Sequence, residues 1–412
     1  MNRNFKKIGT SMVILFVLLA TISSVASSEW PMFQNNPRHT GYVNQDTSYS
    51  TQTWMVNLES SVKSSPVLCE DKLYVGTEKG VLYALDAQNG NETWTYTVDG
   101  PIYASPTVSG DTIYITSDDG YLYSNDARTG DNNWKYKTGS GIKTTPAIDS
   151  SKVYVGSDDG ILHAVNRNDG SVAWEFKCDD KIQSSPVIHG DTVFFGSNDD
   201  KIYAVDVNNG SLKWKVETGD DVKSSPAVVN DVVYVGSEDN VVYALNVENG
   251  NEEWTYDTGS SIVSSPSIDE RQSTLYVGTE KGGVFALDSR DGLKKWETKT
   301  GSCINGSVSI FGTNIAFGNN AGNMIMLNKF TGQNVWSYNP GYVDNFAASI
   351  SSSPITSGGS LFFAAEDGYV YSLDTDNKVG PTSIYTYYIV GVLAFIVLAG
   401  IGARMLIKRK NR

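Results

Sequence analysis

The residues best equipped for metal, redox or acid–base chemistry are few in this chain and far apart. His39, His163 and His189 stand at unrelated positions, and Cys69, Cys178 and Cys303 include no adjacent or Cys-x-x-Cys pair. Zinc needs such donors at short spacing, and an odd number of scattered thiols makes no disulfide framework. The cysteines therefore read as small apolar side chains, and neither a catalytic group nor a metal site is expected. Charged groups behave differently, because they recur in register. Lys63, Lys143 and Lys223 each precede a proline by three residues, and Tyr103 and Gln183 hold the same position in the intervening copies. Short acidic segments recur at the same interval: Glu78, Asp118-Asp119, Asp158-Asp159, Asp199-Asp200, Glu238-Asp239, Glu280 and Glu366-Asp367. Two readings stay open for the lysines. They form a basic arc suited to a carboxylate ligand, or the acidic turns beside them neutralise it. The acidic turns also have a plain local explanation, since Asp and Asn favour turns.

The register comes from an internal repeat. Trp54, Trp94, Trp134, Trp174, Trp214 and Trp254 are spaced by 40, followed by Trp296 and Trp336. Seven of them end a common eleven-residue pattern, as in Ala84-Leu-Asp-Ala-Gln-Asn-Gly-Asn-Glu-Thr-Trp94, with glycine at 90, 130, 170, 210, 250, 292 and 332. Glycine suits a tight hairpin turn because it takes φ > 0 without steric cost. Each unit reads as four short strands: one at Ser-Ser-Pro, one such as Lys72–Gly76, one such as Val81–Leu85, and the tryptophan strand. Four strands per roughly forty residues predict an all-β propeller, and eight repeats predict eight four-stranded antiparallel blades. Each tryptophan is expected to pack on the next blade, burying ~200 Å².

Counting fixes the closure. The last unit ends before any tryptophan, while Trp54 precedes the first unit, so the strand around Trp54 is expected to complete blade eight and close the ring. Blade seven departs from the pattern. It has Gly306-Ser307-Val308 in place of Ser-Ser-Pro, Asn319-Asn320 in place of acids, and Met324 and Met326 in its third strand. Six extra residues before Pro354 carry Tyr342, Asp344 and Phe346, a candidate partner-binding edge.

The eleven-residue motif resembles the tryptophan-docking motif of pyrroloquinoline-quinone-type propellers. The opening Trp30-Pro-Met-Phe-Gln-Asn-Asn-Pro-Arg-His-Thr-Gly41 looks like the entry segment common in that superfamily. The resemblance implies the fold over 30–376. It leaves two kinds of function, because the superfamily holds quinone-dependent alcohol and glucose dehydrogenases and non-enzymatic scaffolds. The alcohol-oxidising members carry a vicinal cysteine pair, calcium ligands and a catalytic aspartate in large insertions. This chain has no adjacent cysteines and nearly bare repeats. A non-enzymatic binding or scaffold module without a cofactor is therefore the expectation. A dehydrogenase using pyrroloquinoline quinone and calcium is the alternative, and a structural cell-envelope protein the third.

The ends suggest where it works. A basic start, an apolar run from Met12 to Ala20 and the small residues Ser24-Val25-Ala26 have the layout of a signal peptide over 1–26. A tether over 377–383 leads to 384–403, twenty uncharged residues, enough for a helix to span ~30 Å of hydrocarbon. The basic tail 404–412 then predicts a single pass with the propeller outside and the tail in the cytoplasm. Asn91, Asn209 and Asn305 begin sequons. Eight basic residues in the two end segments mask the body's acidity, so the overall −14 becomes −22 between them. A body so acidic disfavours nucleic acid and points to a protein or cell-surface polymer as partner. The acidic turns are expected on the face turned away from the bilayer.

Overall fold

The computed structural model describes residues 49–343 and 346–375, together with Met32 and the pair 42–43. The expected signal peptide, tether, membrane span and cytoplasmic tail lie outside these residues. So does the Trp30–Gly41 segment apart from Met32. Among the described residues, no helix is long and apolar enough to cross a membrane.

Eight antiparallel blades form the ring. Blade one illustrates the unit, with strands at Val67–Cys69, Lys72–Gly76, Val81–Asp86 and Glu92–Thr97 running from the channel outward. The inner three are largely buried, because neighbouring blades cover both of their faces. The outer strand alternates, with Trp94 and Tyr96 half-buried and the residues between them exposed. The expected closure is present: Tyr49–Asn57 pairs antiparallel with Tyr369–Thr375, placing Trp54 opposite Ser372. The N-terminal strand thus supplies the outer strand of blade eight, giving it four strands.

The tryptophans dock as the repeat predicts, and the contact explains the glycines more fully than turn geometry does. The turn between the third and outer strands is set by Asp86, whose carboxylate accepts the N–H groups of Gln88 and Asn89. Gly90 follows at φ 74, and its amide donates to the Asp86 carbonyl. A Cβ on Gly90 would meet Trp54 Cε3 at 2.7 Å, and the same holds at Gly130, Gly170, Gly210, Gly250, Gly292 and Gly332 against the preceding blade's tryptophan. Each indole Nε1–H also donates to a carbonyl in that turn, from Trp54 to Ala87 (3.2 Å) through Trp214 to Val247 (2.8 Å) to Trp296 and Lys329 (2.9 Å). Trp336, in blade seven, stacks on Tyr338.

A second fastening runs around the channel and accounts for Ser-Ser-Pro. The first hydroxyl of the pair accepts an amide at the end of the same blade's second strand, as Ser184 does from Gly196 (3.0 Å) and Thr144 from Gly156 (3.0 Å). The second accepts an amide of the preceding blade: Thr145 to Ser185, Ser185 to Ser225, Ser225 to Ser265, Ser307 to Ser353 and Ser353 to Ser65, all at 2.9–3.0 Å. These buried amides face no strand partner, so the hydroxyls remove an otherwise large desolvation cost.

One strand is not part of the repeat. Tyr42–Val43 pairs in parallel with Ile310–Phe311, adding a fifth strand on the channel side of blade seven.

Substitution separates docking from turn conformation. Gly210→Ala, whose Cβ would sit 2.5 Å from Trp174 Cε3, is expected to destabilise the ring by about 2–4 kcal/mol. Gly190→Ala, also at positive φ but with nothing within 4 Å of the added carbon, should cost about 1 kcal/mol. Denaturant midpoints for the two variants check this, and equal losses would contradict it.

Candidate functional site

In every blade the loop entering the inner strand lies beside the turn joining strands two and three. Glu78 N–H reaches Ser61 O (3.0 Å), Glu280 N–H reaches Ser261 O (3.0 Å) and Glu366 N–H reaches Ser349 O (2.9 Å). The channel mouth is therefore lined by two concentric sets of side chains. One set contains the lysine positions, and the other contains the first residue of each acidic turn.

The structure brings these sets into contact. Lys63 pairs with Glu78 at 2.8 Å, and its ammonium lies 5.5 Å from the Tyr103 ring centroid. Lys143 reaches Asp158 at 2.9 Å and Asp118 at 3.8 Å, while Gln183 Nε2 donates to the other Asp158 oxygen at 2.9 Å. Lys223 bridges Glu238 (2.8 Å) and Asp221 (3.0 Å). Hydrogen bonding holds these ammonium groups above the ordinary lysine range: to Glu78 at Lys63 and to Asp158 at Lys143. At Lys223 burial pulls downward, but the hydrogen bonds to Glu238 and Asp221 outweigh it. A raised lysine pKa means that the pairs contribute below 10.5 and are lost only as pH climbs past it. Of the two readings of the lysine arc, the geometry gives the neutralised one, since a carboxylate ligand would have to displace an acid at each lysine. Three lysines stand here with seven carboxylates, namely Glu78, Asp118, Asp158, Asp221, Glu238, Glu280 and Glu366, so the mouth is net negative.

The second acid of each turn does different work. Asp119 accepts the Tyr123 hydroxyl at 2.7 Å and the amide of Asp99 at 3.1 Å, fastening its turn to the loop that enters the same blade. Asp199 and Asp239 repeat both bonds, Asp159 takes the amide of Gly139, and Asp367 takes the Tyr371 hydroxyl. Only the first acids remain for a ligand. Register alone does not separate the two acids, because both stand at fixed offsets in the repeat.

The irregular blades give a more modest picture. Around Asn305, an amide–amide contact to Asn320 (3.2 Å) replaces the lysine–acid pair, and Ser351 donates to Glu366 (3.0 Å). Around the six-residue excess, Tyr342–Val343 pairs antiparallel with Phe346–Ala347, with Tyr342 opposite Ala347 and Val343 opposite Phe346. Asp344 and the side chains of Tyr342 and Phe346 lie outside the described residues. Sequence reading missed one cluster: Asp200, Asp220 and Asp221 bring carboxylate oxygens within 4.8 Å of one another. Burial and the Asp221 and Asp220 charges push the Asp200 carboxyl up. His163 is buried between Asp159 (3.2 Å) and Glu175 (3.2 Å), with the Tyr136 hydroxyl at 3.0 Å, and ties blades two and three together.

The family model described as the beta-propeller of the beta-alanine-activating enzyme matches residues 151–386, and that of the outer membrane protein assembly factor BamB matches 44–178. The chain belongs to the PQQ-like β-propellers. BamB from Moraxella catarrhalis superposes with a TM-score of 0.67 at 20% identity, covering 79% of this chain and 99% of that one. A quinohemoprotein alcohol dehydrogenase from Comamonas testosteroni gives 0.72 at 15%, covering 85% and 81%. The computationally designed Ika8 protein gives 0.68 at 14%, covering 77% and 97%. At these identities the likeness is one of fold. None of the curated proteins matches the chain.

The resemblance gives the alcohol-oxidising members a vicinal cysteine pair. In this PQQ-like propeller Cys69, Cys178 and Cys303 form no disulfide and belong to blades one, three and seven, so they do not supply that pair. Cys178 fits the expectation of a buried apolar thiol, whereas Cys69 and Cys303 are only half-buried. Burial pushes the Cys178 thiol up to about 12. A thiol count at pH 8 should therefore find at most two reactive groups in the native protein and three after denaturation. Three rapidly reacting native thiols would contradict the burial of Cys178.

Proposed function

We propose that this chain is a membrane-anchored, extracytoplasmic binding or scaffold propeller whose acidic channel mouth receives a basic segment of a partner protein. The observation that carries the reading is the charge balance at the mouth, where the lysines are already engaged and carboxylates remain in excess. Such a surface attracts cationic groups and speeds their encounter at low salt. It repels phosphate backbones, which argues against nucleic acid. The match to BamB, an outer membrane protein assembly factor, supports a role in protein contacts. The separated cysteines and short entry loops favour a non-enzymatic role.

The apolar run 384–403 with its basic tail supports a single-pass anchor, and the leader-like 1–26 supports export. The third strand of blade eight ends at Thr375, on the face opposite the mouth. Anchored there, the propeller holds its acidic mouth away from the bilayer.

Crosslinking on intact membranes tests the partner. Neutralising Glu238, Glu280 and Glu366 together by Gln is expected to reduce the captured partner at least tenfold, as should raising the salt from 0.05 to about 0.5 M. Capture that is indifferent to both changes would sink the mouth as the binding site. Dye-linked alcohol or sugar oxidation after adding quinone and calcium would instead support the dehydrogenase alternative.

A further inference from the structure

Where blade eight meets blade one, on the face opposite the mouth, lies a cleft of about 460 Å³. Ser357, Ser360, Phe362 and Ser372 line it from blade eight, and Ala87 from blade one. The repeat supplies controls, because the same positions recur at every seam. Blade two carries nearly the same set, with Ser109, Thr112, Tyr114 and Ser124 in register with those four residues. Only Ser124 and Ser372 are serines at their position, where the other blades have Ala or Met.

In blade two that set holds a guanidinium. Arg167, from the outer turn of blade three, donates to Ser109 Oγ (2.9 Å), to the Tyr114 hydroxyl (3.2 Å) and to the Asp149 carbonyl (2.8 Å). Its head lies 5.7 Å from the Tyr114 ring centroid. Lys329 holds the same offset where blade six meets blade seven, 2.7 Å from Asp269. The corresponding residue of blade one is Ala87. Where that residue is small at other seams, at Ala127 and Ser289, the hydroxyl of Tyr74 or Tyr234 reaches its carbonyl at 2.8 Å. Phe362 has no hydroxyl to do so. The closing seam thus keeps the receiving groups and lacks what fills them.

Two buried hydroxyls are left over as a result. Ser357 is 8% exposed and Ser372 1%, and neither side chain has a hydrogen-bond partner among the described residues. Buried hydroxyls are ordinarily bonded. Glu70 and Asp71 at the rim replace Ser150 and Ser151 of blade three. Both are exposed, and neither joins an ion pair among the described residues.

We infer that this cleft binds an alkylguanidinium group from outside the chain, in the place that Arg167 fills between blades two and three. The planar fork donates to Ser357 and Ser372, its face lies on Phe362, and Glu70 and Asp71 meet its charge. The group belongs to a small compound or to an arginine of a partner peptide.

Calorimetric titration of the full chain tests it, with butylguanidinium and an acetylated, amidated Gly-Arg-Gly peptide as probes. At least one should bind, and the tighter of the two identifies the source; binding of neither overturns the inference. Butylammonium, which lacks the fork, should bind about fivefold more weakly than butylguanidinium, and equal affinity would overturn the choice of guanidinium. Ala87→Arg, which rebuilds the side chain of blade three, should abolish binding without lowering the thermal midpoint. Full binding by that variant would place the cation at another site, such as the acidic mouth, and overturn the inference. Ser357→Ala with Ser372→Ala should weaken binding about tenfold. Unchanged affinity there would overturn the inference even if Ala87→Arg folded poorly.

Discussion

The contact between a tryptophan and the glycine turn of the next blade is the constraint on which this ring depends. An indole can lie flat on backbone only where no Cβ intervenes, and its N–H then has a carbonyl within reach. One residue type thus serves two demands at Gly90 and its six counterparts: the positive φ of the turn and the space for the neighbour's ring. Blade-to-blade packing is otherwise a matter of generic apolar faces, which set no angle. The directed Nε1–H bond and the fixed turn give each blade the same offset from the last, and repeated offsets are what bring a ring to closure.

The serine hydroxyls complete this at the channel. Propeller blades splay outward, so their inner strands converge where there is no room for large side chains, yet strand amides there still need partners. A small hydroxyl from the next blade meets that need and links neighbours at a second radius. In blade seven the Tyr338 hydroxyl also bonds Gln52 of the closing strand at 2.7 Å, and Tyr42–Val43 adds a strand on the channel side.

With every blade in the same orientation, the two faces of the ring acquire opposite characters. The mouth gathers the first acids of the strand-two turns together with lysines already committed to them. The far face gathers the turns that join third and outer strands, so the repeat presents one kind of turn on each side.

The fold, the blade count and the closing role of Trp54 were legible in the sequence, because they follow from a period and a register that the residues state outright. The lysine positions were legible too, as were the acids, and so was the position of both at one mouth. The main pairs keep a fifteen-residue spacing inside one blade, Lys63 to Glu78, Lys143 to Asp158 and Lys223 to Glu238, whereas the reach of Lys143 to Asp118 and of Gln183 to Asp158 crosses from one blade to the next and depends on the ring's curvature. The second acids could not be told from the first until their tyrosine and backbone partners came into view, and the convergence of Asp200 with Asp220 and Asp221 is a contact between neighbouring blades. Local repetition determined what each blade would be. Only the closed ring decided which charges meet across blades, since those contacts are set by distances between blades that no single repeat encodes.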